Sequence, residues 1–224
     1  MMSEPQDSLA DLPPRDAGAS VRKRPKPGER RVQILQALAA MLEQPHAERV
    51  TTAALAARLE VSEAALYRHF ASKAQMFEGL IEFIEQSVFS LIAQIQERPA
   101  AAGESPAVIG ARQAAQIALV IVQFAEKNPG MARVMVGDAL VFENERLVAR
   151  MNQFFDKVEA TLKQCLREAS QSAAHASVMT TPDAQVRASV LAAFLVGRLQ
   201  RFVRSGYRRP PSENLDASLA LMLG

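Results

Sequence analysis

The 224-residue sequence contains no tryptophan, one cysteine and three histidines. With Cys165 alone, an intrachain disulfide and a multi-cysteine metal site are both excluded. The histidines, His46, His69 and His175, lie in separate segments, and none stands beside a nucleophile or at metal-ligand spacing. We therefore expect no enzymatic activity, no metal and no cofactor.

Aromatic residues are also scarce, at 5 % of the chain, and glycine and proline stand mostly at apparent element boundaries. Because alanine and leucine dominate the remainder, the composition predicts an almost all-α protein. No continuous apolar run approaches the roughly 18 residues that span a bilayer. The N-terminus is acidic and contains proline, unlike a signal peptide. These features predict a soluble, cytoplasmic protein.

The formal net charge of +2 is too small to indicate a nucleic-acid binder by itself, but the charge is unevenly distributed. Residues 1–20 are net acidic, whereas six basic residues and one acidic residue stand between Val21 and Val32. With five prolines and little apolar periodicity, residues 1–28 are predicted to form a disordered arm. Its basic side chains could enter a DNA minor groove or could simply be solvated. Those side chains are Arg22, Lys23 and Arg24.

Residues 29–76 carry the signals of three short helices and the start of a fourth. Apolar residues at helical spacing predict the first helix over 29–44. Val50-Thr51 and Val61-Ser62 then repeat one plan eleven residues apart, in which a hydroxyl caps backbone N–H groups beside an apolar staple. Two such starts joined by a tight connection at 59–61 predict a helix-turn-helix.

The second helix of this pair has the composition of a DNA reader. The major groove of about 12 Å admits a helix, small residues allow close approach to the bases, and polar side chains supply donors. Leu66 and Phe70 are expected to face inward. The alternative is that the hydroxyls are ordinary caps and the aromatic residues pack between helices. The residues predicted at DNA are Thr51, Thr52, Ser62, Glu63, Ala64, Ala65, Tyr67, Arg68, His69 and Lys73.

Residues 77–224 read as a larger helical domain. A capping box at 72–75 predicts the start of a long helix, and a polar residue before proline predicts further starts at 105–106, 128–129 and 181–182. A helix ending near Ala169 precedes a small-residue loop, and a short helix follows Pro211. The last long helix ends in a basic cluster that either is solvated or attracts an acidic partner or a membrane. The cluster consists of Arg198, Arg201, Arg204, Arg208 and Arg209.

The N-terminal pattern resembles the TetR family of helix-turn-helix regulators. The pattern consists of Thr51-Thr52, Leu55-Ala56, Val61-Ser62, Leu66-Tyr67-Arg68-His69-Phe70 and Ser72-Lys73. The resemblance implies a three-helix reading head on a C-terminal domain that forms a homodimer by packing two helices against their symmetry mates. The residues assigned to dimerisation are Leu147, Met151, Phe154, Val158, Leu162, Val190 and Phe194.

Segments of the C-terminal half are similar to the nucleoid occlusion factors within this family. Together with residues 62–70 of the reading head, they are 80–85, 128–130, 139–143 and 201–205. The resemblance implies a DNA-activated inhibitor of division, whose dimers on pseudo-palindromic chromosomal sites bind the division protein FtsZ and prevent its ring from forming over the nucleoid.

The resemblance also implies that the FtsZ tail docks between the long helix after the reading head and the next helix. Phe83 and Asn128 match this groove, and Lys127 replaces an arginine. The other three positions depart from the expected arginine, leucine and glycine. They are Leu91, Val120 and Gln123, respectively.

A ligand-responsive repressor is the alternative function, since an apolar bundle can enclose a small molecule. Residues at helical spacing are also typical of plain core, and the sequence leaves both interpretations open. The possible pocket residues are Phe124, Met131, Met135, Phe142, Phe154 and Phe194.

Overall fold

The computed structural model describes residues 28–44, 50–141, 143–171 and 181–223, which contain helices and no strand. The predicted all-α class is confirmed. A 3₁₀ turn at Asp138–Leu140 lies between α6 and α7. The helices are α1 Glu29–Leu42, α2 Thr52–Arg58, α3 Glu63–Tyr67, α4 Lys73–Glu97, α5 Pro106–Lys127, α6 Pro129–Met135, α7 Glu145–Gln171, α8 Thr181–Arg204 and α9 Leu215–Leu223.

Hydroxyl caps begin four of these helices, as the sequence predicts. Each oxygen accepts the backbone N–H three residues later, which satisfies a donor that has no partner within the helix. The pairs are Thr51 with Ala54 at 3.1 Å, Ser62 with Ala65 at 3.3 Å, Ser72 with Gln75 at 3.2 Å, and Ser105 with Val108 at 3.4 Å. In a capping box the Gln75 side chain would accept from the N–H of Ser72. Here it accepts from the N–H of Ala71 instead, at 2.8 Å.

Helices α1 to α3 form the reading head around a small apolar core. Leu66 and Phe70 are buried, as expected, together with Ile34, Leu38 and Leu55. Two helices are shorter than the sequence predicts. Helix α1 ends at Leu42 instead of at residue 44, and α3 has five residues instead of about seven.

Helix α5 lies at the centre of the remaining bundle, packed against α4, α7 and α8. By length and composition α5 could cross a membrane, although polar side chains interrupt its apolar residues. Its Ile117, Ala118 and Ile121 are fully buried by neighbouring helices. With 39 % of its most apolar 18-residue window buried and contacts to three helices, α5 is placed as a core helix of the bundle.

The structure corrects most of the predicted dimer surface. Five of the seven assigned side chains are at most 2 % exposed because α7 turns this stripe toward α5 and α8 of the same chain. They cannot also cover a second copy in this packing. These five are Leu147, Met151, Phe154, Val158 and Leu162. Val190 is 52 % exposed, and Phe194 is half-buried beneath the guanidinium of Arg198.

The reading head is joined to the bundle through the end of α1. Gly130 lets α6 approach so closely that a Cβ there would overlap the carbonyl oxygen of Ala39. The carbonyl of Leu42 accepts bonds from the Arg133 guanidinium at 3.3 Å and the Tyr207 hydroxyl at 3.2 Å. Burial raises the pKa of Tyr207, an effect that the nearby Arg133 only partly opposes. We call this contact region the head joint.

Candidate nucleic-acid interface

The short helix α3 presents one side to solvent while its other side closes the reading head. Ala64 and Arg68 are exposed, and Tyr67 is 45 % exposed. Buried Leu66 fixes which side faces outward, because neighbouring helical residues differ in direction by about 100°. The arrangement fits a helix that enters the major groove by its small and polar side.

Thr51 and Thr52 have different partners, although the sequence predicted a phosphate contact for both. The Thr51 oxygen caps α2. The Thr52 hydroxyl instead donates to the Glu63 carboxylate at the start of α3, with 2.5 Å between Oγ1 and Oε2. A phosphate contact from Thr52 remains a prediction and would have to compete with this bond.

Arg31 supports the end of α3 from within the protein, a role that the basic run in the sequence does not indicate. Its Nη1 donates to the carbonyl oxygen of His69 at 3.1 Å, and its guanidinium lies 4.1 Å from the centre of the Phe70 ring. These contacts fasten the end of α3 to α1. Thirty-eight residues separate Arg31 from His69, so no local pattern predicts their contact.

Lys73 extends toward the bundle. Its Nζ lies 2.5 Å from the Glu143 carboxylate, and the two side chains are only 18 % and 7 % exposed. Since desolvated charges depend strongly on their partners, a phosphate contact by Lys73 would require opening this pair. The predicted phosphate contact of Lys73 therefore remains a hypothesis.

The predicted minor-groove residues Arg22, Lys23 and Arg24 lie outside the described residues, as do His46 and His175. Within residues 28–44, 50–141, 143–171 and 181–223, no group of three or more His, Cys, Asp or Glu residues is arranged to hold a metal. Cys165 is buried.

A second exposed surface lies on α4 and α5, which pack against each other. Phe83 and Leu91 on α4 are 47 % and 40 % exposed. On α5, Gln123 is exposed and Val120 is half-buried. Lys127 ends α5 in the exposed class, and the half-buried Asn128 side chain donates to the carbonyl of Phe124 at 2.8 Å. We call these six residues the α4–α5 surface.

The apolar residues considered for a ligand pocket pack as ordinary core. Met135 and Phe154 are buried, and Phe124, Met131 and Phe194 pack against the same cluster. Phe154 also meets the rings of Phe89 and Phe155 edge-on, at centroid distances of 5.6 and 5.0 Å. Phe142 lies outside the described residues.

Two parts of the chain match known family models. Residues 34–80 match the family model described as bacterial regulatory proteins of the tetR family, and residues 112–223 match an SlmA-like model described as a tetracyclin repressor-like C-terminal domain. The nucleoid occlusion factor SlmA of Colwellia psychrerythraea is 46 % identical over 198 residues, which cover 88 % of this chain and 94 % of that protein. The chain belongs to the SlmA family of nucleoid occlusion factors.

Other SlmA proteins show a similar relationship. The protein from Shewanella pealeana is 48 % identical over 187 residues, covering 84 % of this chain and 89 % of its own length. Among solved structures, the fatty acid degradation regulator FadR of Bacillus halodurans aligns with a TM-score of 0.69 at 14 % identity, covering 88 % of this chain and 96 % of that chain. This likeness shows a shared helical fold, and the match to the tetR family model identifies that fold as TetR-like. SlmA membership identifies a DNA-binding, dimeric regulator.

Proposed function

We propose that this member of the SlmA family binds pseudo-palindromic chromosomal sites as a homodimer in the cytoplasm and, when DNA-bound, binds FtsZ and inhibits ring assembly over the nucleoid. The observation that carries the proposal is the placement of Phe83. It lies 47 % exposed on the same continuous helix, α4, whose first residue follows the reading head.

The α4–α5 surface has the chemistry of a short-peptide site. Exposed aromatic and aliphatic side chains can cover the apolar residues of a peptide, and Lys127 at the end of α5 can pair with a carboxylate. We infer that the FtsZ tail is the occupant, because FtsZ is the partner implied by the family resemblance. Leu91 stands where the family resemblance implies an arginine, and Val120 and Gln123 are also uncharged. The middle of this surface is therefore less positively charged than the family pattern implies.

The homodimer surface requires exposed apolar side chains on α7 and α8. Val148 on α7 and Val186 and Val190 on α8 are 37 %, 61 % and 52 % exposed. Half-buried Phe155 and Phe194 lie on the same helices. We therefore propose these five residues as the contact with the second copy, in place of the buried stripe.

The test is co-sedimentation of FtsZ polymers with the full-length protein, with and without a duplex that the protein selects from random DNA. We expect loss of polymer only with the selected duplex. Phe83→Ala should remove at least about tenfold of the affinity for FtsZ while leaving DNA binding unchanged, since buried aromatic anchors dominate peptide interfaces.

Val108→Ala is the matched control for loss of an exposed apolar side chain. Val108 is 54 % exposed and lies at the start of α5, far from Lys127 at its end. It should leave both activities unchanged. If the wild-type protein bound its duplex but never altered FtsZ polymers, a conventional transcriptional repressor would be the better assignment.

A further inference from the structure

We call α3 the reading helix, and we call the surface formed by Thr52, Glu63, Ala64, Tyr67, Arg68 and His69 the DNA face. Glu63 is its acidic residue, and phosphate binding does not explain its presence there. Glu63 is exposed, and its carboxylate accepts the bond from Thr52. A DNA duplex carries about one negative charge per 1.7 Å of its axis, so a carboxylate on this face is repelled. The repulsion is offset only where the DNA offers a hydrogen-bond donor to the carboxylate.

The bases differ in the hydrogen-bond donors that they present in the major groove, and this limits which base a carboxylate can contact. Guanine and thymine present acceptors there, and adenine presents its N6 donor beside the N7 acceptor. Cytosine presents the N4 amino group without a neighbouring acceptor on the same base. Of the four bases, cytosine is the one best matched to a carboxylate.

Thr52 restricts the orientation of that carboxylate. It is the first residue of α2, a helix anchored by the Thr51 cap and by buried Leu55 and Ala56. A hydroxyl on an anchored helix therefore holds Oε2 of Glu63, which reduces the entropy lost when the side chain is fixed on DNA. The other carboxylate oxygen, Oε1, is left to meet a base.

We propose that Glu63 reads a cytosine in each half-site and that Thr52 is the positioning residue for its carboxylate. The inference rests on DNA binding by the reading head and assigns the base specificity of one position. The competing explanation is purely structural, because the Thr52–Glu63 bond also joins α2 to α3 and an acidic residue favours a helix N-terminus.

The experiment compares the sequences that full-length variants select from a randomised duplex library. Because a glutamine amide pairs with adenine N6 and N7, Glu63→Gln should change one position of each half-site from cytosine to adenine. Exchanging that base pair should change the affinity of the wild-type protein by about tenfold per half-site. Thr52→Val should keep the cytosine preference but weaken it several-fold, and Thr52→Ser should restore it.

Glu97→Gln is the control for loss of one negative charge, since exposed Glu97 lies about 36 Å along α4 from Lys73. It should leave all base preferences unchanged. Thermal unfolding of every variant separates a loss of stability from a loss of selectivity.

The inference is overturned if Glu63→Gln and Thr52→Val select the wild-type sequence with unaltered preference at every position, whatever their stability. A wild-type protein that selected no sequence at all would instead contradict specific DNA binding by the reading head.

Discussion

The DNA face and the head joint both involve the reading head, which the head joint connects to α6 and to Tyr207 after α8, but their side chains are held differently. On the DNA face, Tyr67, Arg68 and His69 are exposed, and the Thr52–Glu63 bond is close to solvent. At the head joint, Gly130 and Tyr207 contact the backbone of α1 directly. The first region can exchange its partners for DNA, whereas the second is fixed by packing.

The difference predicts that substitutions separate into two groups. Changes on the DNA face should alter binding and base preference with little effect on the free energy of unfolding, because exposed side chains contribute little to packing. Changes at the head joint should alter stability first.

The largest expected effect is that of Gly130→Ala. The new Cβ would overlap the Ala39 carbonyl, and backbone cannot move aside as a flexible side chain can. We expect the free energy of unfolding to fall by about 3 kcal/mol, at the upper end of overpacking costs. Urea denaturation of the full-length protein measures this loss.

Gly79→Ala is the matched control, because this glycine of α4 also faces α1 but meets a side chain instead of backbone. Its Cβ would meet the end of the Leu35 side chain at 3.1 Å, which can shift, and alanine favours α4 by about 1 kcal/mol over glycine. The net change should be close to zero. Equal losses for the two variants would show that the close approach at Gly130 does not determine the joint.

A smaller effect is expected for Lys73→Met, which keeps the aliphatic chain near Phe77 but removes the ammonium from Glu143. Unfolding free energy should fall by about 2 kcal/mol, since breaking a largely buried pair is costly. The salt dependence of DNA binding should stay unchanged, because the ammonium is committed within the protein.

The double variant Lys73→Met with Glu143→Gln should recover part of this stability, since it removes the remaining buried charge. A salt slope reduced by about one unit in the single variant would contradict the expectation. It would place Lys73 on a phosphate, as the sequence pattern alone predicts.

The smallest loss of stability expected at the head joint is that of Tyr207→Phe, which removes the bond to Leu42 and should cost about 1 kcal/mol at neutral pH. Burial raises the pKa of this phenol above its ordinary value of 10.0, so folding favours its neutral form. Its contribution is present below about pH 10 and is lost as the pH rises through the raised value. When the pH is raised above 10, the unfolding free energy of the wild type should therefore fall by more than that of the variant.

Tyr67→Phe tests the other side of the comparison with the only other tyrosine of the chain. Thermal unfolding should be unchanged while the affinity for selected DNA falls. A destabilised Tyr67→Phe with normal DNA binding would invalidate the division between the two regions.

Helix starts and the reading head could be predicted from sequence because their signals are local. A hydroxyl at position 51, 62, 72 or 105 caps an N–H only three residues away, and the surrounding fold hardly affects this bond. Leu66 and Phe70 were predicted to face inward for the same reason, since helical spacing sets their direction.

Contacts between distant residues could not be predicted in this way. Periodicity shows that the Leu147 stripe is apolar but not whether its own chain or a second copy covers it. Seventy residues separate Lys73 from Glu143, so their pairing depends on how the reading head docks on the bundle. Charge and helix position alone favour a phosphate for Lys73.

Because α4 is one continuous helix, it fixes how far Phe83 lies from Lys73 along the helix axis and in which direction it lies around that axis. Ten residues from Lys73 correspond to about 15 Å along the axis and about 2.8 turns. The helix runs unbroken from Lys73 to Glu97, and a shift of one residue would rotate Phe83 by about 100°. A protein that bound at Phe83, as we propose, would therefore lie at a fixed distance and in a fixed direction from bases contacted by α3.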